Sequence, residues 1–420
     1  MRFIADFHIH SRYSRATSPN MEVGTLAKWA KKKGIGLIGT GDFTHPIYFS
    51  SLKAQLEPEG NGLFQLKGGR VDCRFILTAE VSNIFSHKGR LRKIHNLIFA
   101  PGFEVVENIN ARLGSLGKLA SDGRPIFGFP ARDLVKMVMD ISPDCLIVPA
   151  HAWTPWFSIF GANSGFDSIE ECFGDEARHI YAIETGLSSN PEMNWRCSSL
   201  DRITLLSNSD AHSPGKIGRE ANLFDCDLSY GDLLDVIRKK DKKRFLSTIE
   251  FFPEEGKYHY DGHRECDISM SSGETKINGD ICPVCNKRIT VGVMHRVEDL
   301  ADRKEGFIPD NSIPFKSLIP LEEIIAEALG RGTGTQSVNR EYERLVSEAG
   351  NEFKILLDLS SGDLSAFVPP KILEGIIRVR EGKVKIIPGY DGVYGKIRIF
   401  DDGNSGPIID QGPSDQISLF

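Results

Sequence analysis

Histidine and acidic residues lie at the ends of short apolar runs in the first half of the chain. His8 and His10 fall within the apolar stretch at 3–10, and Asp210 and His212 follow a later run. Side chains at positions i and i+2 of a strand point to the same face, so His8 and His10 can bind one ion together. Imidazole and carboxylate groups are ligands of Zn²⁺, Mn²⁺ and Fe²⁺, and a carboxylate can bridge two ions. These residues favour metal-assisted hydrolysis.

Further candidate ligands follow other apolar runs between these two pairs. The predicted metal ligands are His8, His10, Asp42, Glu80, His95, His151, Asp210 and His212. A lone His-x-His pair is often coincidence, but its combination with acids and histidines after separate runs favours one shared metal cluster. His45 and Glu184 are further candidates, and Glu184 has an alternative role as a hydrogen-bond partner of a ligand.

Apolar runs alternate with amphipathic, helix-like segments as far as about residue 250, which is the pattern of an α/β domain. Residues just beyond parallel strands line the active-site face of a barrel. His95 differs because it begins its run. We therefore expect 94–100 to pair antiparallel with 74–79, which would place His95 beside Glu80. Beyond 350, we expect strands at 353–359 and 397–400.

Composition restricts the class of protein. The 420 residues are 40% hydrophobic and 26% charged, and this length predicts one large domain with at least one smaller module. We find neither a secretion signal nor a run near the roughly 20 apolar residues of a membrane span, so we expect a cytoplasmic protein without a membrane partner. The net charge of −6 argues against a general polyanion binder, although bound divalent ions would reverse the local charge.

Three of the eight cysteines cluster after residue 250. The predicted structural zinc ligands are His263, Cys266, Cys282 and Cys285. Two such pairs, each with two intervening residues, are typical of a closed tetrahedral Zn²⁺ site, whereas unpaired thiols are the simpler alternative. His259 or His295 could replace His263 as the fourth ligand. The other five cysteines are scattered and are expected to be small buried side chains.

The ordered ligand set resembles the polymerase and histidinol phosphatase (PHP) family of metal-dependent phosphoesterases. The matching residues are 6–14, 41–42, Glu80, His95, His151 and 210–212. The resemblance implies an α/β fold with a distorted (β/α)7 barrel that holds two or three Zn²⁺ ions, with Mn²⁺ or Mg²⁺ as alternatives for activity. The chain departs from the family at Arg15 and Phe43, where Asp and His are common, so a third ion would need another ligand such as His45.

Nearly the whole chain resembles the endonuclease Q family of DNA repair nucleases. The residues that carry this resemblance are 151–158, 184–188, 207–214 and 258–266. It implies hydrolysis of the phosphodiester bond 5′ to uracil, hypoxanthine, xanthine and abasic sites. On this basis the predicted catalytic residues are Glu80, Asp210 and His151. Glu80 would bridge two ions, one held by His8, His10 and Asp210 and the other by His95 and His151.

Aromatic and basic residues near these ligands are the expected contacts with damaged DNA. The predicted substrate-binding residues are Trp153, Trp156, Phe157, Arg90, Arg92, Lys93 and Glu184. The aromatic residues leave His151 in a loop where they could stack on a base extruded from a duplex, although core packing is the usual role of such side chains. The basic residues precede His95 and could hold phosphates.

Four segments are expected along the chain. They are a PHP barrel at 1–250, a zinc-binding module at 251–300, a mainly helical DNA-binding region at 301–400 and a disordered tail at 401–420. The tail ends in Gln416 to Phe420, which is similar to a shortened peptide that binds the sliding clamp PCNA.

Two other functions remain open from sequence. One is a PHP phosphomonoesterase that acts on a small ester such as histidinol phosphate, and the other is a non-enzymatic DNA-binding or scaffold module. The 170 residues after residue 250 and the aromatic loop favour a large substrate. The complete ligand set favours an enzyme.

Overall fold

The computed structural model describes residues 1–69 and 73–400. The strands are β1 (Arg2–Asp6), β2 (Leu37–Gly39), β3 (Leu56–Pro58), β4 (Phe64–Leu66), β5 (Arg74–His87), β6 (Arg90–Ala100), β7 (Ile126–Phe127), β8 (Leu146–Pro149), β9 (Ala182–Glu184), β10 (Thr204–Leu206), β11 (Ala221–Asp225), β12 (Phe245–Glu250), β13 (Asp261–His263), β14 (Ile268–Met270), β15 (Phe315–Ser317), β16 (Lys385–Ile387) and β17 (Lys396–Arg398).

Helices cover the sheet and are the main regular elements of residues 301–400. They are α1 (Val23–Lys33), α2 (Pro46–Gln55), α3 (Phe103–Gly114), α4 (Ala131–Ile141), α5 (Ile169–Phe173), α6 (Pro191–Trp195), α7 (Tyr230–Lys239), α8 (Ser272–Ile277), α9 (Val293–Leu300), α10 (Leu321–Leu329), α11 (Gln336–Ala349), α12 (Ser361–Ser365) and α13 (Pro370–Arg380). No helix among the described residues is long and apolar enough to cross a membrane.

Helix α1 shows how the sequence pattern produces these elements. Leu26, Ala27 and Ala30 recur at helical spacing and are fully buried. Lys31 to Lys33 occupy the last turn, where positive charge suits the helix dipole. Gly34 then ends the helix with a φ of 91°, a left-handed conformation that glycine adopts without a steric penalty.

Parallel pairing of β1 with β2, and of β2 with β5, brings the carboxyl ends of these strands to one edge. Strand β6 pairs antiparallel with β5 in a register that sets His95 opposite Ser82. The predicted antiparallel hairpin is therefore confirmed, because this register brings His95 to within two residues of the position opposite Glu80. Strand β8 pairs with β6, and β9 and β10 form a separate parallel pair.

The expected mixed α/β class is confirmed, with a Cys/His group and a helical region after the first 250 residues. Strand β15 pairs parallel with β12, which connects the later segment to the main sheet. A buried ion pair also joins the two parts, since Lys33 Nζ lies 2.7 Å from Glu352 Oε2. The hydroxyl of Tyr342 donates to the same carboxylate at 2.6 Å.

Candidate metal centre

Two groups of three potential metal ligands lie at the edge where the strands end. One group contains His8, His10 and Asp210, and the other contains Glu80, His95 and His151. Within each group, one ligand atom from each residue lies within 4.8 Å of the others. All six side chains belong to the set predicted from sequence. They are placed by β1, β5 and β6 and by the loops that follow β8 and β10.

Glu80 lies between the two groups. Its Oε1 is 2.8 Å from His95 Nδ1 and 3.2 Å from His151 Nε2. Its Oε2 is 3.3 Å from His10 Nε2 and 3.6 Å from His8 Nε2. Each carboxylate oxygen thus faces one group, which is the geometry that a bridging ligand requires.

The donor atoms of the first group fit a divalent cation. Nε2 of His8, Nε2 of His10 and Oδ1 of Asp210 are buried and make no hydrogen bond within the described residues. Buried polar atoms are normally satisfied, so a convergent set of three needs an explanation. A shared metal ion would satisfy all of them.

Two buried carboxylates orient the histidines of this group. His8 Nδ1 lies 3.0 Å from both oxygens of Glu184, and His10 Nδ1 lies 3.0 Å from Asp42 Oδ1. A hydrogen bond at Nδ1 fixes the tautomer and leaves Nε2 available to a metal. Ser11 N–H donates to the second oxygen of Asp42 at 2.6 Å. Asp42 therefore orients His10, and its predicted role as a metal ligand stays a prediction.

Glu184 is held by four contacts. Besides the His8 ring, the Asn208 amide donates to Oε1 at 2.8 Å and the His151 N–H donates to Oε2 at 3.0 Å. Its side chain is 1% exposed, and Glu184 also lines the pocket beside the ligands. Glu184 therefore makes the hydrogen bonds that one of its two predicted roles requires, and its predicted contact with substrate stays a prediction.

Electrostatics keep the two acidic ligands ionised and His95 neutral. Although burial opposes it, the neighbouring carboxylates Glu184 and Asp42 raise the pKa values of His8 and His10, respectively, well above the usual range. Burial favours a neutral Glu80, but His95 and Arg124 hold the pKa of its carboxyl well below the usual range. For Asp210, burial again opposes ionisation, and His8 and His10 keep its pKa well below the ordinary value. Burial lowers the pKa of His95 to about 3, so its imidazole is neutral and able to coordinate a cation.

Three residues of the site have a left-handed backbone. The φ angles are 44° at Asp42, 31° at His151 and 46° at Asp210. Such conformations cost about 1–3 kcal/mol for residues other than glycine and concentrate at functional sites. Each residue follows a strand, so the turn directs its side chain into the cluster.

Arg124 was not found from sequence. Its guanidinium NH1 lies 3.0 Å from Glu80 Oε2, and its side chain is 19% exposed. The preceding Gly123 packs so closely that a Cβ there would lie 2.3 Å from Asp42 Oδ2. A single arginine in a loop carries no spacing signal, so only the folded chain reveals this contact.

A pocket of about 390 Å³ opens beside the ligands. His151, Asp210 and His212 line one side. The other side is lined by Tyr258, His259, Val293 and Tyr394, from segments far along the chain. Clefts of this size are typical of small-molecule and cofactor sites.

A second metal-binding group lies in the segment after β12. Ligand atoms of His263, Cys266, Cys282 and Cys285 lie within 4.8 Å of one another. Although burial opposes ionisation, the backbone N–H groups of Cys285 and Val284 lower the pKa of Cys282 to about 7. His295 Nδ1 instead lies 2.6 Å from Asp261 Oδ2, and His259 lines the pocket, so His263 is the fourth member of the group.

Comparison with known proteins places the chain in a family. Lesion-specific endonuclease PfuEndoQ from Pyrococcus furiosus is 32% identical, with a TM-score of 0.85 and 98% coverage of both chains. The chain belongs to the endonuclease Q family. A structure of endonuclease Q with a 27-mer duplex bearing an abasic lesion at the active site is 31% identical, with a TM-score of 0.83 over 98% of this chain and all of that chain.

Other relatives of this endonuclease Q family member match over different lengths. Residues 320–383 match the MJ0043 C-terminal domain family. MJ0043 of Methanocaldococcus jannaschii is 34% identical over 252 residues, which are 59% of this chain but 31% of that protein. YqxK of Bacillus subtilis is 29% identical over 379 residues, covering 89% of this chain and 91% of YqxK. The chain thus spans about a third of MJ0043.

Two further histidines adjoin the cluster without joining either group. The His212 ring lies 4.6 Å from the His10 ring, and its Nδ1 lies 2.9 Å from the carbonyl oxygen of Asp210. Its role as a metal ligand stays a prediction. His45 accepts a hydrogen bond from Tyr48 N–H, so it caps α2, and its ring stacks on Tyr13 at 4.3 Å. Its role as a substitute ligand stays a prediction.

The aromatic residues after His151 have different surroundings. Trp153 is 1% exposed, and its Nε1–H donates to Asn194 Oδ1 at 2.8 Å. Trp153 therefore packs in the core, and its predicted contact with substrate stays a prediction. Trp156 is partly exposed with its ring 5.8 Å from that of Tyr258, and Phe157 lies 4.7 Å from the His95 ring. Their contacts with a base stay predictions.

The predicted phosphate contacts are spread along β6. Lys93 Nζ lies 5.0 Å from the ring centre of Phe157, close to the metal ligands. Arg92 donates to the Gly165 carbonyl and packs over Phe166, so it is fixed on the other side of the strand. Arg90 lies five residues before His95, which is roughly 17 Å of strand. The predicted clamp-binding peptide lies outside the described residues.

Proposed function

We propose that this chain is a metal-dependent DNA repair endonuclease that cleaves the phosphodiester bond 5′ to uracil, hypoxanthine, xanthine and abasic sites. The observation that carries the proposal is the pair of ligand groups on either side of Glu80, with a pocket of about 390 Å³ beside them. Membership of the endonuclease Q family supports the same activity, since one relative is described as lesion-specific and another holds a duplex with an abasic lesion.

The chain binds metal through the two groups, and we propose two Zn²⁺ ions, with Mn²⁺ or Mg²⁺ as alternatives that support activity. A third ion would need a further ligand such as His45 or His212. Divalent ions there would activate water and neutralise charge on the phosphate oxygens. Separately, one Zn²⁺ is proposed for His263, Cys266, Cys282 and Cys285.

The residues of the chain position both the ligands and the substrate. Glu184 and Asp42 hold His8 and His10 so that each Nε2 points inward. Glu80, Asp210 and His151 are the proposed catalytic residues, because Glu80 faces both ligand groups whereas Asp210 and His151 also line the pocket. Arg124 adds a positive charge next to Glu80, where it can attract the phosphate of the substrate.

The pocket is the proposed place for the extruded nucleotide. Tyr258 and Tyr394 supply aromatic faces in its wall, and Trp156 packs against Tyr258. A base that pairs poorly costs less to extrude from a duplex, which would favour deaminated and abasic positions. This assignment moves the stacking role from Trp153 to the tyrosines.

We also propose that the helical region contacts the DNA backbone. The link at 330–335 joins α10 to α11, and Arg331 in this link is exposed. Glycines at 330, 332 and 334 leave the backbone N–H groups of such a link accessible to a phosphate.

A cytoplasmic location and PCNA binding through 416–420 complete the proposal. Loss of PCNA binding on deletion of 416–420 is the expected result of a pull-down.

A single assay tests the central proposal. Labelled duplexes with one uracil, hypoxanthine, xanthine or abasic site are incubated with Mg²⁺, Mn²⁺ or Zn²⁺, alongside p-nitrophenyl phosphate. We expect a nick 5′ to each lesion and none in the undamaged duplex. Hydrolysis of p-nitrophenyl phosphate without nicking would instead support a small-ester phosphatase. Binding of lesion DNA without either reaction would support a non-enzymatic module.

A further inference from the structure

The β5–β6 hairpin has a face that extends outward from the metal centre. Strand pairing sets Ser82 opposite His95 and Ser86 opposite Leu91. Because alternate residues of a strand share a face, His95, Lys93 and Leu91 lie in one row. At about 3.4 Å per residue, Leu91 stands roughly 14 Å from His95 along this row.

The opposite face of the hairpin is anchored to the protein. The rings of Phe85 and His87 lie 6.2 Å and 5.3 Å from the Phe166 ring, and the Arg92 guanidinium lies 4.3 Å from its centre. The outer part of the metal-side face is open instead, with Leu91 57% exposed. The packing against Phe166 on one face of the hairpin therefore fixes the strand that exposes Leu91 on the other face.

The tip of the hairpin is tight and basic. Lys88 and Gly89 have φ angles of 48° and 75°, as in a two-residue type I′ turn. Such a turn keeps the strand ends in register. Lys88 in the turn and Lys93 on the same face as Leu91 place positive charge on both sides of it along the hairpin. One large apolar group among cations matches a partner with an apolar interior and an anionic border, which describes the base stack and phosphates of a DNA duplex.

We propose that Leu91 is a wedge that enters the base stack beside the lesion, an inference that rests on the proposed nuclease function. Apolar side chains inserted between base steps unstack them and bend the duplex. Base edges lie about 8.5 Å inside the major groove. A side chain roughly 14 Å from the metal ligands can therefore reach the stack while the phosphate lies at the ligands. Lys88 and Lys93 contact the flanking phosphates.

The wedge affects the rate of extrusion only where the bases beside the lesion are stacked. Leu91 stabilises the gap that forms when the damaged nucleotide leaves the helix, so its removal slows extrusion. A duplex with three unpaired bases on each side of the lesion has already lost this stacking. The effect of Leu91 should therefore depend on the pairing around the lesion, unlike the effect of a residue that supports the metal ligands.

The test compares wild type with Leu91→Ala, Leu91→Phe and the matched control Leu116→Ala, whose side chain is 46% exposed outside the hairpin. We measure single-turnover nicking of a fully paired uracil duplex and of the same duplex with the unpaired flanks. Fluorescence of 2-aminopurine beside the lesion reports unstacking on binding, and circular dichroism checks folding.

Leu91→Ala should nick the paired duplex at least about tenfold more slowly and lose the fluorescence rise, yet nick the unpaired duplex within twofold of wild type. Leu91→Phe and Leu116→Ala should stay near wild type on both. If Leu91→Ala nicked both duplexes equally slowly, or nicked the paired duplex as fast as wild type, the wedge would be overturned. Nicking by the wild type would still support the nuclease function in that case. A wild-type protein that nicks neither duplex would overturn the proposed function, and the wedge with it.

Discussion

At the scale of single residues, Asp210 offers the sharpest test of the metal centre. Its Oδ1 lies 3.1 Å from His10 Nε2 and 3.5 Å from His8 Nε2. Asn tolerates the left-handed backbone at this position, so Asp210→Asn changes the charge without disturbing the turn. We expect nicking of a lesion duplex to fall more than about a hundredfold, because changes to mere outer partners of metal ligands already cost 10–100-fold. DNA affinity measured by fluorescence anisotropy should stay within threefold, and retained nicking would contradict the assignment.

Arg124 gives a second prediction at this scale. Its guanidinium is 3.0 Å from Glu80 Oε2, so it stands where a phosphate would approach the ligands. Arg124→Gln should lower kcat/KM by about a hundredfold, as is common when one preorganised charge at a developing anion is lost. Metal content by elemental analysis should be unchanged. Arg15→Gln, at a side chain 90% exposed, is the matched control. Equal kcat/KM values for the two variants would show that Arg124 does not contribute to catalysis.

The residue scale also shows what a sequence can locate. His8, His10 and Asp210 could be predicted as ligands because each follows an apolar run. Asp42 and Glu184 also follow such runs, yet their oxygens are occupied by the histidine rings and by N–H groups. A carboxylate that binds a metal and one that orients a histidine have the same sequence pattern. Only the positions of the neighbouring donors separate them.

At the scale of elements, strand pairing was more predictable than the later segments. The antiparallel β5–β6 pair followed from the unusual place of His95 at the start of its run. The strand expected at 353–359 was wrong, because residues Lys354–Asp358 are helical. Ile355 and Leu356 are both buried there, so the apolar run packs as a helical turn against α11 and α13. Short apolar runs do not distinguish a buried strand from a buried helix.

The β11–β12 pair contains a buried carboxyl pair that predicts a pH effect on stability. Ala221 faces Ile249 across the strands, which places Glu220 opposite Glu250 in the next position. Burial raises the pKa of Glu250 from 4.5 to about 7, and burial with the nearby Glu250 raises that of Glu220 well above its usual range. A raised folded-state pKa gives stability that is full below the unfolded value and is lost as the pH rises through the folded value.

The neutral variant Glu250→Gln should therefore stabilise the protein only at high pH. The wild type loses stability as the pH rises from about 4.5 to about 7, because its buried carboxyl must take up a proton on folding in this range and is ionised without water above it, whereas the amide stays neutral. We expect a gain of about 2 kcal/mol in the free energy of unfolding at pH 8 and none at pH 4.5. Urea unfolding at both values measures the difference. A gain that is the same at both pH values would show that the carboxyl is not neutral in the folded protein.

At the scale of the whole molecule, the pocket joins segments that are remote in sequence. His151 comes from the loop after β8, Tyr258 and Val293 from the segment around the Cys/His group, and Tyr394 from the turn between β16 and β17. The metal ligands and the zinc group could each be predicted from sequence, but not the pocket that their two segments line together. That contact depends on how the segments pack, and no local pattern of residues encodes it.

This shared pocket predicts that the Cys/His group affects DNA recognition at a distance from its own ion. A structural zinc site orders a small polar segment, and here that segment carries Tyr258 and Val293 to the pocket wall. Cys282→Ser should lower the zinc content by one ion per chain and leave the ions held by His8 and Glu80 in place.

The affinity of Cys282→Ser for a lesion duplex should fall about tenfold, which corresponds to about 1.4 kcal/mol. Elemental analysis and fluorescence anisotropy measure the two effects. Cys226→Ser, at a buried cysteine outside the group, should lose neither zinc nor affinity. If Cys282→Ser lost its zinc but bound the lesion duplex as tightly as wild type, the pocket wall would not depend on the zinc group, and recognition would belong to the first 250 residues alone.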